Sequence, residues 1–244
     1  MKDVLLGRAS EIPKEYDPSI LTSLSRLDSR IKSGLGEHSS ILQGRDFWTS
    51  YEASWLNFKG IPQNKILNIS YNSNSKFFVE SKSLKLYLFS LNNKKFETHE
   101  DVKNLICGDL QTLLKTEVEV ELVQSPRPIE SNYLSLDSIE IEKIDNHPNS
   151  LALEPGEDDI SEDLSCSLFR SLCPVTSQPD WATIYISYSG LRILHKGLLQ
   201  YLLSYRNHQG FHEECVERIF TVSYTHLRAH ETKANLVCRL RLEK

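Results

Sequence analysis

The sequence predicts an α+β protein built from two units, and two patterns lead to this prediction. Segments in which apolar and polar residues alternate, as in strands with one buried face, occur in both halves of the chain. Segments with apolar residues at helical spacing follow these strands in each half. Strands followed by paired helices are typical of the α+β class, and 244 residues can form two small domains.

In the first half, turn chemistry and periodicity predict the following elements. The sequence Tyr16-Asp17-Pro18-Ser19 predicts a turn. Four aromatic residues at helical spacing predict a helix that packs into the core: Phe47, Tyr51, Trp55 and Phe58. Strands are predicted at 65–71, 76–80 and 117–123, and helices at 84–91 and 99–114.

The middle of the chain predicts a boundary between the two units. Residues 138–144 alternate as a strand does, and 146–163 contain prolines, a glycine and an acidic run, which predicts a linker or a long surface loop. Beyond it we predict a strand at 180–188 and helices at 196–207 and 211–220. The predicted units are therefore 1–145 and 164–221.

The last segment, 222–244, differs in character from the rest of the chain. Its wording is close to a translation of common DNA-sequencing adapter sequence, and it shows neither strand alternation nor a helical stripe. We therefore expect a non-native tail, in which case the native C-terminus would be missing. A genuine amphipathic tail is the alternative.

Composition favours a soluble cytoplasmic protein. A net charge of −5 argues against a nucleic-acid-binding surface, which is usually basic. No apolar run approaches the ~20 residues of a membrane helix, and the first residues are too polar for a signal peptide. The 5 cysteines are an odd number without regular spacing, which predicts reduced thiols.

Cys173 is the candidate nucleophile. Two prolines, Pro174 and Pro179, bracket the loop that follows it, and Asp180 comes directly after the second. A stiff loop can present a reactive thiol, and a nearby carboxylic acid can exchange protons with it. The alternatives are a buried, inert cysteine and an aspartate that serves only as a turn or cap residue.

His212 stands at the predicted start of a helix, where the helix dipole lowers an imidazole pKa and suits it to proton transfer. A surface histidine without a role is the alternative. Glu213 and Glu214 follow it. They also fit a purely structural role, as acids in the first turn that complement the helix dipole. His212 and Cys215, with Cys173, also suggest zinc, but the paired spacing of structural zinc sites is missing, so no metal is predicted.

Glu80 ends an apolar strand in the first half. A carboxylate there can accept two N–H bonds from the edge of a guanine-like ring, although a solvent-facing strand end is the alternative. Ser81, Lys82 and Lys85 follow it and fit either a phosphate contact or a hydrated helix start. The chain contains no glycine-rich dinucleotide fingerprint.

Several short sequence segments, taken together and in order, resemble those of the NADPH-dependent 7-cyano-7-deazaguanine reductases. These are the nitrile reductases of queuosine biosynthesis, and the similarity is to their long, two-unit form. The similarity covers Gly7 to about Phe220. It is carried by these sequences: Tyr16-Asp17-Pro18-Ser19, Trp48-Thr49-Ser50-Tyr51-Glu52, Glu80-Ser81-Lys82-Ser83-Leu84-Lys85, Cys173 to Trp181, Tyr205-Arg206-Asn207-His208 and Phe211 to Phe220.

The resemblance implies two tandem tunnelling-fold (T-fold) units, each an antiparallel sheet backed by helices, in a homodimer or higher homo-oligomer. It implies that Glu80 and Cys173 meet in one pocket. The implied reaction reduces the nitrile of 7-cyano-7-deazaguanine to a primary amine with two NADPH, in a pathway that modifies tRNA without this protein binding nucleic acid.

Site roles follow from the same resemblance. Catalysis falls to Cys173, which adds to the nitrile as a thioimide, and to Asp180 and His212 as proton-transfer groups. Substrate binding is implied for Val79, Glu80, Ser81, His212 and Glu213. NADPH binding is implied for Ser81 and Lys82.

One departure from the family concerns a late Arg-Arg-Gly-Gly segment that helps to bind the NADPH phosphate, because the adapter-like tail stands in its place. Two other functions remain open at this point. One is a T-fold protein that binds a deazaguanine or pterin without turnover, and the other is a zinc-dependent, cyclohydrolase-like enzyme.

Overall fold

The computed structural model describes Gly7 and residues 12–35, 43–125, 132–142, 159–228 and 238–243. The chain divides into two compact units, Met1–Pro128 and Ile129–Lys244, so the division falls before the predicted boundary at residue 145. Among the helices in the described ranges, none combines the length and the apolar character that a membrane span requires.

The described residues of the first unit form a four-stranded sheet, a two-stranded sheet and three α-helices. The large sheet has the order β5-β2-β3-β6, and β1 pairs with β4. Its elements, after a 3-10 turn at Pro18–Ile20, are β1 (Ser23–Ser25), α1 (Arg26–Lys32), β2 (Arg45–Asn57), β3 (Pro62–Asn72), β4 (Phe77–Val79), α2 (Ser81–Ser90), β5 (Lys95–Phe96), α3 (His99–Leu114) and β6 (Val118–Val123).

Helix α3 forms as its sequence predicts. Thr98 and Asp101 form a reciprocal capping box at its start, which satisfies backbone N–H groups that the first turn leaves unpaired. Four residues at helical spacing are buried on one face: Val102, Ile106, Leu110 and Leu114. The predicted strands at 65–71, 76–80 and 117–123 are confirmed as parts of β3, β4 and β6, and the predicted helix at 84–91 begins earlier, at Ser81.

The predicted aromatic helix is wrong, because its residues belong to strand β2 and the turn after it. Trp55 is buried, but Phe47, Tyr51 and Phe58 are exposed and do not pack into the core of this unit. A spacing of four residues returns to the same face of a strand as well as of a helix, so this spacing does not separate the two. The pairing of β2 with β3 decides in favour of the strand.

The predicted turn at Tyr16-Asp17-Pro18-Ser19 is confirmed, and a polar cluster anchors it. Asp17 caps the 3-10 turn by accepting from the Ser19 N–H at 2.9 Å. The hydroxyls of Tyr16 and Tyr87 both donate to Asp109, at 2.8 and 2.5 Å. Burial, the hydrogen bond to Asp109 and its charge raise the pKa of Tyr16 to about 12, so the hydroxyl remains a donor.

The second unit contains one four-stranded sheet of order β10-β9-β8-β7. Its elements are β7 (Leu134–Ser135), β8 (Asp159–Leu172), β9 (Pro179–Leu191), α4 (His195–Leu203), a 3-10 turn at Ser204–Asn207, α5 (His212–Arg228) and β10 (Cys238–Glu243). The predicted strand at 180–188 and both predicted helices, at 196–207 and 211–220, are confirmed in β9, α4 with its 3-10 turn, and α5.

Two predictions around the inter-unit segment are wrong. Residues 138–142 form no strand, and 143–144 lie outside the described residues. Residues 159–163 of the acidic run belong to β8 rather than to a loop, while 146–158 lie outside the described residues. In β8 the acidic residues pair with β9, whose hydrogen bonds hold that part of the run in an extended strand.

The core of the second unit lies between one face of the sheet and the helices α4 and α5. Phe169, Ile184 and Ile186 from the sheet pack in one cluster with Leu198 and Ile219 from the helices. Helix α5 continues beyond residue 222, and Ser223 on it is buried. The first part of this segment therefore continues a helix, to Arg228, and β10 pairs antiparallel with β9; the non-native tail stays a prediction.

The two units share one plan that is not visible in the sequence. Each contains a long antiparallel hairpin, then two helices, then a strand that pairs with the second strand of the hairpin. That last strand is β6 beside β3 in the first unit and β10 beside β9 in the second. Both hairpins also carry an irregularity in their register, at Ser50/Ala53 and at Cys166/Phe169.

The carboxylate of Glu162 collects three polar partners near the open end of the β8–β9 hairpin. Glu162 accepts hydrogen bonds from Tyr188 at 2.7 Å and from His195 at 2.9 Å, and Arg192 lies at 3.8 Å. Burial acts to raise the pKa of Glu162, but the hydrogen bonds from His195 and Tyr188 and the charges of His195 and Arg192 outweigh it, so the pKa is lowered.

This lowered pKa predicts part of the acid sensitivity of the protein. A carboxyl group whose pKa is lower in the folded state stabilises the fold above its unfolded value of about 4.3, and this contribution is lost as pH falls through the folded pKa. Glu162→Gln should therefore lower the melting temperature near pH 7 and flatten its decrease below pH 4. Thermal unfolding from pH 7 to pH 3 measures this, with the exposed Glu142→Gln as the matched control. Parallel curves for Glu162→Gln and the parent would contradict the prediction.

Candidate active site

Cys173 opens the loop of the β8–β9 hairpin, which spans residues 173–178. Its N–H donates to the carbonyl of Gln178 at 2.9 Å, one step beyond the last strand pair, Leu172 with Pro179. Its carbonyl accepts from the N–H of Ser177 at 2.9 Å, and Ser177 adopts a left-handed conformation with φ 57°. The thiol residue is thus held by backbone bonds on both sides and is 7% exposed.

The strand register places Asp180 near Cys173 on one face of the sheet. Asp180 pairs with Ser171, and Cys173 lies two residues after Ser171 with its pairing still in register. Residues two apart share a face, so Cys173 and Asp180 are diagonal neighbours, a relation that brings Cβ atoms to about 7–8 Å or closer. Ala182, on the same face, is buried in the core, so this is the face that the helices cover.

The segment 208–210 ties the thiol loop to the start of α5. The N–H of Leu172 donates to the carbonyl of His208 at 2.8 Å, and the N–H of Gly210 donates back to Leu172 at 3.1 Å. The side-chain amide of Gln209 donates to the Ser177 hydroxyl at 2.8 Å. Helix α5 begins two residues later with His212, so these bonds hold the segment that leads into the helix against the thiol loop.

His212 and Cys215 are three residues apart at the start of α5 and therefore face the same side of the helix. Cys215 is fully buried, and burial raises its pKa to about 12; the charges of Glu214 and Glu213 add to this, and a hydrogen bond with Ser171 opposes it. Cys215 is therefore a neutral thiol near pH 7, which leaves Cys173 as the candidate nucleophile at this end of the unit. His212 and Glu213 are each half-buried here.

In the first unit, Glu80 caps helix α2. Its two carboxylate oxygens accept from the N–H groups of Lys82 and Ser83, each at 2.8 Å, and the residue is 1% exposed. The solvent-facing alternative is therefore wrong. Each oxygen keeps lone pairs that can accept a further bond. Val79, before it in β4, is buried, and its N–H lies 3.3 Å from the hydroxyl of Tyr71.

A cleft of about 240 Å³ lies between β2 and α2 of the first unit. Ser81 and Lys85 line it on the helix side, and Trp48 and Tyr51 line it on the strand side. Lys85 lies 3.5 Å from Glu52, and Lys82 is half-buried beside it on α2. Hydroxyl, ammonium and aromatic groups fit part of a nucleotide cofactor, but two N–H groups of the helix start are already used by Glu80.

Sequence reasoning missed three residues of the second unit: Ser171, Ser177 and Gln209. Their roles depend on strand register and on a contact across 32 positions of the chain, which no local pattern encodes. One signal was available for Ser171. It stands two residues before Cys173 at the end of a strand, and residues two apart on a strand share a face. Among the described residues, no three His, Cys, Asp or Glu side chains cluster as a metal site would require.

An α+β fold with a thiol, a carboxylic acid and an imidazole at one hairpin end defines a candidate thiol-dependent enzyme. Residues 12–122 match the family described as "Nitrile reductase, 7-cyano-7-deazaguanine-reductase N-term", and residues 179–235 match "QueF-like protein". The chain belongs to this nitrile reductase family. The second match continues past residue 222, where the sequence predicts a non-native tail.

Individual relatives agree with this assignment. The chain is 41% identical over 230 residues to a protein of Polaromonas sp., covering 91% of this chain and 83% of that protein. It is 40% identical over 226 residues to a protein of Saccharophagus degradans, covering 91% and 84%. It is 38% identical over 229 residues to one of Acinetobacter baylyi, covering 92% and 84%. All three are named NADPH-dependent 7-cyano-7-deazaguanine reductase.

The capping role of Glu80 predicts a stability effect. Glu80→Ala leaves the N–H groups of Lys82 and Ser83 without their acceptor in a buried place and should lower the free energy of unfolding by about 1–2 kcal/mol. Urea denaturation measures this, and Glu97→Ala, which truncates an exposed glutamate of the same unit, is the control. Equal stability of Glu80→Ala and Glu97→Ala would show that the cap contributes nothing.

Proposed function

We propose that this chain reduces the nitrile of 7-cyano-7-deazaguanine to the primary amine of 7-aminomethyl-7-deazaguanine with two NADPH, within tRNA queuosine biosynthesis. The observation that carries the proposal is the placement of Cys173 on the same sheet face as Asp180, beside the start of the His212 helix. The names of its relatives supply the nitrile substrate and the cofactor.

The first step of the proposed reaction uses the thiol. A nitrile carbon is a poor hydride acceptor, and addition of sulfur converts it into a better electrophile. The Cys173 sulfur forms a bond to the nitrile carbon, one π bond of the nitrile breaks, and the nitrogen takes a proton. The thiol proton passes through Asp180 in this addition, so the product is a neutral thioimide on Cys173. Two NADPH molecules, bound one after the other, would each supply one hydride of the four-electron reduction.

The remaining predicted residues transfer protons, exclude water and hold the cofactor. His212, half-buried at the start of α5, donates a proton to the substrate nitrogen as the first hydride adds to the thioimide carbon, and the nitrogen electron pair then expels the Cys173 thiolate to leave the imine. Its place in a covered region also keeps water from the imine that forms between the two reductions. Ser81 and Lys82, at the start of α2, hold the cofactor through their hydroxyl and ammonium groups.

Recognition of the deazaguanine ring falls to Glu80, Glu213, Val79 and Ser81. Glu80 is suited to this because two backbone N–H groups already fix its carboxylate in one orientation. A fixed carboxylate presents its remaining lone pairs to ring N–H donors without losing side-chain entropy on binding. Glu213, half-buried in the first turn of α5, supplies a second acceptor.

We further propose that the units are two tandem T-folds that function in a homodimer or higher homo-oligomer. The shared order of hairpin, two helices and pairing strand supports a tandem repeat of one fold. The absence of direct nucleic-acid binding and the cytoplasmic location remain predictions from composition.

The intact mass of the protein after incubation with 7-cyano-7-deazaguanine, without NADPH, tests the thiol step. We expect a mass increase equal to that of the nitrile, one equivalent per chain, because the thioimide cannot be reduced without hydride. Cys173→Ala should show no increase. Asp180→Asn should form the adduct at least tenfold more slowly, since proton transfer typically contributes about 10²–10⁴-fold.

Cys107→Ala is the matched control, because it removes a half-buried thiol of the other unit. An adduct that disappears in Cys107→Ala and persists in Cys173→Ala would refute the assignment of the nucleophile. Adduct formation without any NADPH oxidation would indicate a binding protein that traps its ligand. Zinc that is bound by the parent and lost in Cys173→Ala would indicate the cyclohydrolase-like alternative.

A further inference from the structure

An imidazole and a carboxylate meet over Gly210, in the short segment between the thiol loop and helix α5. The Nε2 atom of His208 lies 3.8 Å from Oε1 of Glu214, and the two side chains are only 21% and 13% exposed. A Cβ atom at position 210 would lie 3.1 Å from His208 Nε2 and 3.3 Å from Glu214 Oε1. The contact between the two side chains therefore uses the space that a glycine leaves.

Glycine provides space at position 210 rather than an unusual backbone conformation. Its φ lies outside the left-handed region, so a residue with a Cβ atom can adopt the same backbone. The contacts that this Cβ would make are shorter than the about 3.5–4.0 Å at which carbon atoms pack best. An alanine would therefore keep the backbone bond from Gly210 to Leu172 but push His208 and Glu214 apart.

The two side chains connect the ends of the segment that carries His212. At one end, the His208 carbonyl accepts a hydrogen bond from the N–H of Leu172 at 2.8 Å, which ties it to the strand before the thiol loop. At the other end, Glu214 lies in the first turn of α5, two residues after His212. Successive helical residues are about 100° apart, so Glu214 and His212 point to nearly opposite sides of the helix. Glu214 can thus hold the helix start without occupying the side that His212 faces.

The ring of His208 is oriented by two neighbours. Its edge meets the ring of Tyr205 with centroids 5.4 Å apart, and its Nε2 atom is buried without a hydrogen-bond partner among the described residues. A distance of 3.8 Å to Glu214 exceeds that of a hydrogen bond, about 2.7–3.2 Å, so a small approach of the two ends would form one. Because a carboxylate only accepts, that bond holds a proton on Nε2. An unpaired buried group costs free energy, which favours the approach.

We infer that His208 and Glu214 are a positioning pair that holds His212 where it can donate its proton to the substrate nitrogen. The inference rests on the proposed function, which gives His212 this step. The pair acts through the start of α5, whereas the hydrogen bond from Gln209 to Ser177 separately holds the thiol loop. Loss of the pair should therefore slow proton donation by His212 more than the addition of the thiol.

Two rates, measured on the same variants, separate positioning from general damage. His208→Ala, Glu214→Ala and Gly210→Ala should each lower the single-turnover rate of NADPH oxidation at least about tenfold, because a small displacement of a reacting group is costly. The rate of adduct formation without NADPH should stay close to that of the parent, since it depends on the thiol and the acid of the hairpin. His208→Gln should recover part of the loss, because its amide N–H can replace Nε2–H.

Glu142→Ala is the control, because it truncates an exposed glutamate of the same unit. Oxidation of NADPH at the parent's rate in Glu214→Ala and Gly210→Ala would overturn the inference. An equal fall of both rates would also overturn it, because that result indicates a purely structural role. The losses in the His208→Ala, Glu214→Ala double variant should not add, since the two residues form one contact, and additive losses would contradict a pair.

Hydrogen exchange in the first turn of α5 tests the pair without requiring activity. The N–H of Cys215 bonds to the carbonyl of Phe211 at 3.0 Å, so its exchange reports on this turn. We expect faster exchange in Glu214→Ala and Gly210→Ala than in the parent and in Glu142→Ala, and equal exchange would overturn the inference. Absence of both the adduct and NADPH oxidation from the parent would refute the proposed function, whereas the exchange rates would still decide whether the pair holds the helix start.

Discussion

The register of the β8–β9 hairpin fixes the position of the candidate active site. The backbone bond between Cys173 and Gln178 extends the strand ladder by one pair, so the thiol residue keeps the alternation of the strand before it. Because side chains alternate strictly, a slip of one residue would move Cys173 to the opposite face from Asp180. The irregularity at Cys166/Phe169 matters for the same reason, since it sets which of the later residues face the helices.

Backbone hydrogen bonds also give the site its rigidity. Leu172 is bound through both its N–H and its carbonyl to the segment before α5, and Gln209 reaches across to Ser177. A nucleophile on a free loop would have to be ordered each time a substrate binds, at an entropic cost of about 1–2 kcal/mol per residue. Here that cost is met on folding, in the same way that the cap of α2 orients Glu80 before any ligand is present.

The sequence predicted most of the elements but not the geometry of the site. Helix α3 and the strand at Asp180 could be predicted because capping residues and apolar spacing are local signals. The aromatic residues from Phe47 to Phe58 could not, because a spacing of four fits both a helix and a strand until the partner strand is known. The sequence segments around Cys173, Asp180 and His212 made these residues candidates. The hydrogen bond from Gln209 to Ser177 depends on a tertiary contact that the sequence does not reveal.

The two faces of the second sheet separate two kinds of chemistry. On the covered face, burial raises the pKa of Cys215 and excludes water, which suits covalent bond formation and proton transfer at Cys173. At the other face, the guanidinium groups of Arg170 and Arg206 lie close to the ring of Trp181, which is 52% exposed. A guanidinium placed on the covered face would hold a permanent charge beside the thiol and require costly desolvation. Strand alternation therefore places two adjacent residues on opposite faces, so that Asp180, the proposed proton-transfer residue, lies on the covered side and Trp181 lies on the other.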